Sequence, residues 1–181
     1  NMSYTLLTTA LKVEPDNSIY NTLGSIADYI IESARGNSGL ILAQFFSGLF
    51  QKMTARKYIN TRDFAENVKK TIPYLYENVN NPTEGTILTV IKEWGNKISE
   101  LSHEIDDFVL LFDLSLKTAR KSLEETRSQI RKFSNRDNVD AGAQGFVYLL
   151  EGILNYLYNN NSSQLVENKE ESDVKYLEHT D

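Results

Sequence analysis

The 181 residues contain no cysteine. That excludes disulfide stapling, thiolate nucleophiles and Cys-ligated zinc, and suits a reducing compartment, so a cytoplasmic location is expected. An excess of positive charge is missing too: Lys and Arg number 19 against 25 Asp and Glu, a formal net charge of -6. With no basic stripe in the sequence, a general grip on nucleic-acid phosphates is not expected. No apolar run reaches the roughly 18 to 20 residues a bilayer-spanning helix needs; the longest, Gly39 to Phe50, is interrupted by Gln44 and Ser47. No signal-like segment opens the chain. No segment alternates with period two, so strands are not expected. Histidine is scarce as well, and His103, between Ser102 and Glu104, reads as a residue of a solvated helix end rather than a general base.

What remains is ordinary globular composition, with 40% hydrophobic and 24% charged residues, enough to fold one domain with a sizeable core. Ile19, Leu23, Ile26, Ala27, Ile30, Ile31 and Ala34 recur at three- and four-residue spacing behind Asp16 and Asn17 as cap candidates, which predicts a helix. Asn37 to Phe50 is apolar nearly all round, as expected of a central helix. Phe64, Val68, Ile72 and Leu75 give a further stripe, opened by Asn60 or Thr61 and interrupted at Pro73. Ile87 to Leu101, Ile105 to Leu123 and Ala143 to Leu157 repeat the pattern, the last behind a polar break from Ser134 to Asn138 and then Asp140. The reading is six or more amphipathic helices packed on one another, an all-α bundle over residues 1–158. From 159 to 181 the Asn/Ser/Glu-rich chain has little to bury and reads as a polar linker or tail.

Three segments place Gly beside small polar residues at the start of an apolar helix. In Ala34-Arg35-Gly36-Asn37-Ser38-Gly39, free N–H groups of the following helix would favour an anion; the same residues also suit a tight turn with an Asn or Ser cap. Pro82-Thr83-Glu84-Gly85-Thr86-Ile87-Leu88 is a second loop into a helix, with Glu84 and Thr86 as polar candidates or Thr83 as a plain cap. Asn138-Val139-Asp140-Ala141-Gly142-Ala143-Gln144-Gly145 is the third. There Asp140 is a candidate cap, and Gly142 and Gly145 permit close approach by a helix or a ligand ring.

Taken in this order, the three segments resemble the signature of the dihydroxyacetone-kinase nucleotide-binding family, and most closely its fatty-acid-kinase branch. The resemblance covers about residues 1–158. It implies an antiparallel barrel of about eight helices with ATP or ADP bound in the loops at one end. Asn1 and Met2 would lie beside the nucleotide, and Asn37, Ser38 and Gly39 would hold phosphates. Gly85, Thr86 and Ile87 would form the adenine-side wall, and Asp140, Ala141 and Gly142 would close the other side. The family's Mg2+ is held by an Asp-Gly-Asp-x-Gly loop followed by Asn-Met. Asn1-Met2-Ser3 matches the end of that motif, so the metal ligands are expected upstream of Asn1.

The resemblance further implies kinase chemistry, phosphoryl transfer to an acceptor presented by another protein or domain. That presenter is a DegV-type fatty-acid carrier or a dihydroxyacetone-binding subunit, with a second copy of the chain as a further partner it allows. A nucleotide-binding regulatory module without catalysis is the alternative. No catalytic residue is assigned: Arg35, Arg120, Arg127 and Arg131 are within the sequence range to reach phosphate, and equally able to be ion-paired or solvated.

Overall fold

The computed structural model describes residues 1–134 and 140–177, and side chains for 1–128 and 140–160. Among these the chain is all-helical. Seven helices follow in order: α1 (Met2–Lys12), α2 (Ile19–Ser33), α3 (Gly36–Lys52), α4 (Thr61–Asn78), α5 (Ile87–Leu101), α6 (Phe108–Ser134) and α7 (Ala141–Leu177). The polar break around Asn138 and Val139 lies outside the described residues. α7 runs past Tyr158 as helical backbone to Leu177, through much of the stretch expected to be linker.

Connections are short, so successive helices run antiparallel and each packs on the next. The ring closes where α7 meets α1, while α3, α5 and α7 also touch one another inside it. This alternation puts the N-termini of α1, α3, α5 and α7 at one end of the bundle. The core is aromatic at its centre: Trp94 lies 5.6 Å from Phe146, 6.0 Å from Phe112 and 6.4 Å from Phe45, ring centroid to ring centroid. The indole Nε1–H of Trp94 is buried and donates to Ser115 Oγ at 3.1 Å, which offsets the cost of taking it out of water.

α1 inverts the usual pattern. It buries Met2, Thr5 and Thr9 and exposes Tyr4, Leu7 and Leu11. The buried hydroxyls donate back along their own helix, Thr5 Oγ1 to Asn1 O at 3.0 Å and Thr9 Oγ1 to Thr5 O at 2.7 Å. The small Thr5 side chain also lets α3 approach, since a Cβ on Gly39 would sit 2.8 Å from Thr5 Oγ1.

Caps differ in detail from expectation. α2 is capped by Ser18, whose Oγ accepts from Asn21 N, while Asp16 stands two residues back and its Oδ1 accepts from Ser18 N at 2.7 Å. α4 opens as expected on Asn60, whose Oδ1 accepts from Asp63 N at 2.7 Å, and continues through Pro73. Asn60→Ala, far from the N-terminal end of α3, should cost about 1 kcal/mol by removing that cap. Thermal denaturation checks it, and an unchanged midpoint would show that the helix does not depend on the cap.

Candidate functional site

Because the N-termini of the odd helices share one end, three distant segments meet there. Asn37, Ser38, Thr86, Ile87 and Asp140 line one cleft of about 580 Å³. α3 rises from Gly36, at φ +66°, and has no side-chain cap hydrogen bond, so neither Asn37 nor Ser38 serves as its cap. Asn37 is exposed and Ser38 half-buried. With several helix N-termini pointing into the same space, the first-turn N–H groups and the helix dipoles favour negative charge there.

The remaining sequence candidates support the cleft from behind. A Cβ on Gly36 would meet Asn1 Nδ2 at 2.8 Å, so Asn1 packs directly on the α2–α3 turn. Gly142 is so close to Ser38 that an added Cβ would lie 2.8 Å from Ser38 Cβ. Gly39 is buried against Thr5, Gly85 is buried at φ +79°, and Ala141 is exposed at the start of α7. Met2 is not among the residues that line the cleft. It is buried against Gly145 and borders a second, apolar groove of about 510 Å³ between α1 and α7.

Thr86, not Thr83, caps α5: its Oγ1 accepts from Leu88 N at 3.3 Å and donates to Thr83 O at 2.7 Å. Asp140 Oδ1 accepts from Ala143 N at 2.7 Å, the cap expected for α7. The arginines whose side chains are described have partners outside the cleft. Arg35 Nη1 donates to Ala34 O at 2.8 Å with its guanidinium over the Tyr4 ring, and Arg120 forks onto Glu151 Oε1 at 3.0 and 2.8 Å. Arg127 lies 3.8 Å from Glu124, and the Arg131 side chain lies outside the described residues. His103 is exposed in the turn after α5.

Ile41, Gln44, Asn78, Asn80 and Asn81 also line the cleft, and sequence reasoning had not named them as site residues. Gln44 had a signal, being the polar interruption of an apolar run seven residues after Asn37, which is the same helix face. The asparagines after α4 had none beyond marking a turn.

Among the described residues no group of three or more His, Cys, Asp or Glu side chains comes together to hold a metal. The carboxylate lining the cleft, Asp140, has Oδ1 engaged by its own helix. The residues present therefore do not fit the divalent metal the resemblance implies. A pocket of about 150 Å³ at the opposite end is lined by charged residues already engaged, with Arg56 on Asp63 and Lys70 on Glu66, each at 2.6 Å, and Lys52 over the Tyr74 ring.

An all-α ring of antiparallel helices with a cleft lined at the N-termini of α3, α5 and α7 is the class of protein that this fold defines. The chain belongs to the DAK2 domain family, whose model matches residues 1–155; this is a nucleotide-binding module of the dihydroxyacetone-kinase family. It is similar to an uncharacterized protein of Staphylococcus haemolyticus strain JCSC1435, 30% identical over 175 residues that make up 94% of this chain and 31% of that protein. An uncharacterized protein of Staphylococcus aureus strain USA300 is 30% identical over 161 residues, 87% of this chain and 29% of that one. The chain thus spans less than a third of the length of these relatives. Among the described residues no helix is long and apolar enough to cross a membrane.

Proposed function

We propose that the cleft binds ATP or ADP, with phosphates on the first turn of α3 at Asn37 and Ser38 and the base toward Thr86 and Ile87. In this reading the chain serves ATP-dependent phosphoryl transfer. The acceptor is a carrier-bound fatty acid, converted to acyl phosphate, or a dihydroxyacetone-like ketone, presented by a DegV-type carrier or a ketone-binding subunit. The observation that carries the reading is the uncapped α3 N-terminus opening onto a cleft that the α5 and α7 N-termini also line. Positioning and charge neutralisation dominate phosphoryl transfer, so the absence of Cys is no obstacle. What this chain's own groups do is bind and orient: the α3 N–H groups and the Ser38 hydroxyl hold phosphate oxygens, and the Ile87 side packs the base.

Calorimetric titration of ATP into the full-length protein, with and without Mg2+, tests this. Binding that strengthens with Mg2+ supports the kinase; binding indifferent to Mg2+ supports a nucleotide-sensing module; no binding overturns the nucleotide reading. Asn37→Asp sharpens the test. A carboxylate in the first turn of α3 favours the helix by about 0.3–1 kcal/mol, yet it faces a phosphate site, where like-charge repulsion should weaken ATP by about tenfold or more. Unchanged or raised thermal stability with lost affinity is the expected pair of results.

A further inference from the structure

Glu84 lies at the centre of a hydrogen-bonded cluster that the reading above does not use. Its Oε2 accepts from Thr89 Oγ1 at 2.6 Å, and its Oε1 accepts from Tyr76 OH at 3.0 Å and from Lys92 Nζ at 2.8 Å. Thr89 Oγ1 in turn accepts from Gly85 N at 2.8 Å. Lys92 also stands 5.7 Å over the Tyr76 ring, so the cluster ties the end of α4, the loop and the first turns of α5 to one another.

Each donor direction is set by the carboxylate. A Thr inside a helix can donate its hydroxyl to the carbonyl four residues back, which for Thr89 is that of Gly85. With Glu84 taking that proton, the Thr89 oxygen presents a lone pair to Gly85 N–H instead. Gly85 sits at φ +79°, a conformation with competitors of similar energy for glycine, so a held N–H selects one of them. Thr86, the next residue, lines the cleft and caps α5.

Resting on the nucleotide reading for its consequence, we propose that Glu84 is a positioning residue: through Thr89 it locks the Gly85–Thr86 turn that forms the base-side wall of the cleft. The phosphate end, on α3, is built from other residues and does not depend on it. The surroundings agree with a fixed, ionised carboxylate. Lys92 and then Thr89 hold the Glu84 pKa below the ordinary carboxylate range, while burial and the bond to Glu84 push the Tyr76 hydroxyl up.

Two measurements on the full-length protein test this. In the unliganded protein, Glu84→Ala and Thr89→Val should each speed hydrogen exchange at the Gly85 amide, whereas Thr89→Ser, which keeps the hydroxyl, should leave it slow. On titration, both disruptive variants should lose roughly five- to tenfold in affinity for ATP and adenosine, with inorganic tripolyphosphate affected less than twofold; the double variant should be no weaker than either single one, as expected of residues acting through one chain of bonds. Unchanged exchange at Gly85 in Glu84→Ala overturns the lock whatever binds. Faster exchange in a protein whose wild type binds neither ATP nor tripolyphosphate keeps the lock and overturns the nucleotide reading. Equal losses for adenosine and tripolyphosphate overturn the confinement to the base side.

Discussion

Replacing Trp94 with alanine is expected to remove about 3–5 kcal/mol of stability, a large part of what a domain of this size has. The indole is 2% exposed and packs against Phe45, Phe112 and Phe146 at the point where α3, α5, α6 and α7 meet. No neighbour can fill the space from one side, because each ring is already held edge-on or tilted against another. Trp94→Phe should cost less, about 1–2 kcal/mol. It keeps most of the aromatic volume and loses one hydrogen bond. Ser115 Oγ, left without the indole donor, still donates to Phe112 O at 3.3 Å, so no buried hydroxyl is stranded. Urea unfolding of both variants checks the ordering. A loss below about 1 kcal/mol for Trp94→Ala would mean that the core relaxes around the cavity, and that the aromatic cluster is not what fixes the helix ring.

Most helices from Ile19 onward were legible because their buried side is largely apolar and their exposed side largely is not, as with Val68 and Leu75 against Glu66 and Lys70 on α4; α3 was legible instead as a run apolar nearly all round. α1 was not legible by the same test. Its buried stripe is Met2, Thr5 and Thr9 and its exposed side carries Tyr4, Leu7 and Leu11, so a periodicity of apolar residues points the wrong way. Only the motif resemblance implied a helix there.

For the site, chain order and helix alternation together explain what the motifs alone left open. Asn37, Thr86 and Asp140 are far apart in sequence but each sits at the start of an odd-numbered helix, so an antiparallel ring brings them to one end. The close packing of Asn1 on Gly36 belongs to the same logic. What could not be read was which atoms turn inward. Thr83 was the cap the sequence suggested for α5, and Thr86 takes that place, its hydroxyl donating to the Thr83 carbonyl. The Glu84 cluster joins Tyr76 and Lys92, eight residues away on either side of it, through a turn whose path no local pattern specifies.

Gly142→Ala is expected to separate binding from folding. Alanine is favoured over glycine by about 0.5–1 kcal/mol in a helix interior; Gly142 is the second residue of α7, so the gain in propensity there is at most that much. The added Cβ, however, would lie 2.8 Å from Ser38 Cβ and closer still to Ser38 Oγ, with Asp140 Oδ1 at 3.2 Å. Ser38 Cβ is attached to the first turn of α3, and no side-chain rotation moves it out of the way. α3 and α7 must part where Ser38 faces the cleft, an overpacking cost of about 1–3 kcal/mol. Part of that is offset by propensity in the free protein, but a ligand that needs the two N-termini at their present spacing bears the strain in full. ATP affinity should therefore fall about tenfold to a hundredfold, a larger effect than the loss of stability in the free protein, where propensity offsets part of the cost. Gly145→Ala is the control on the same helix. Its Cβ would meet Met2 Sδ at 2.6 Å, and the flexible thioether can swing into the open groove beside it. That variant should bind ATP within about twofold of wild type and gain the helix propensity. If both variants bind as wild type does, the close approach of α7 to Ser38 serves packing alone, and the phosphate end of the cleft must be sought on α3 and α5 without it.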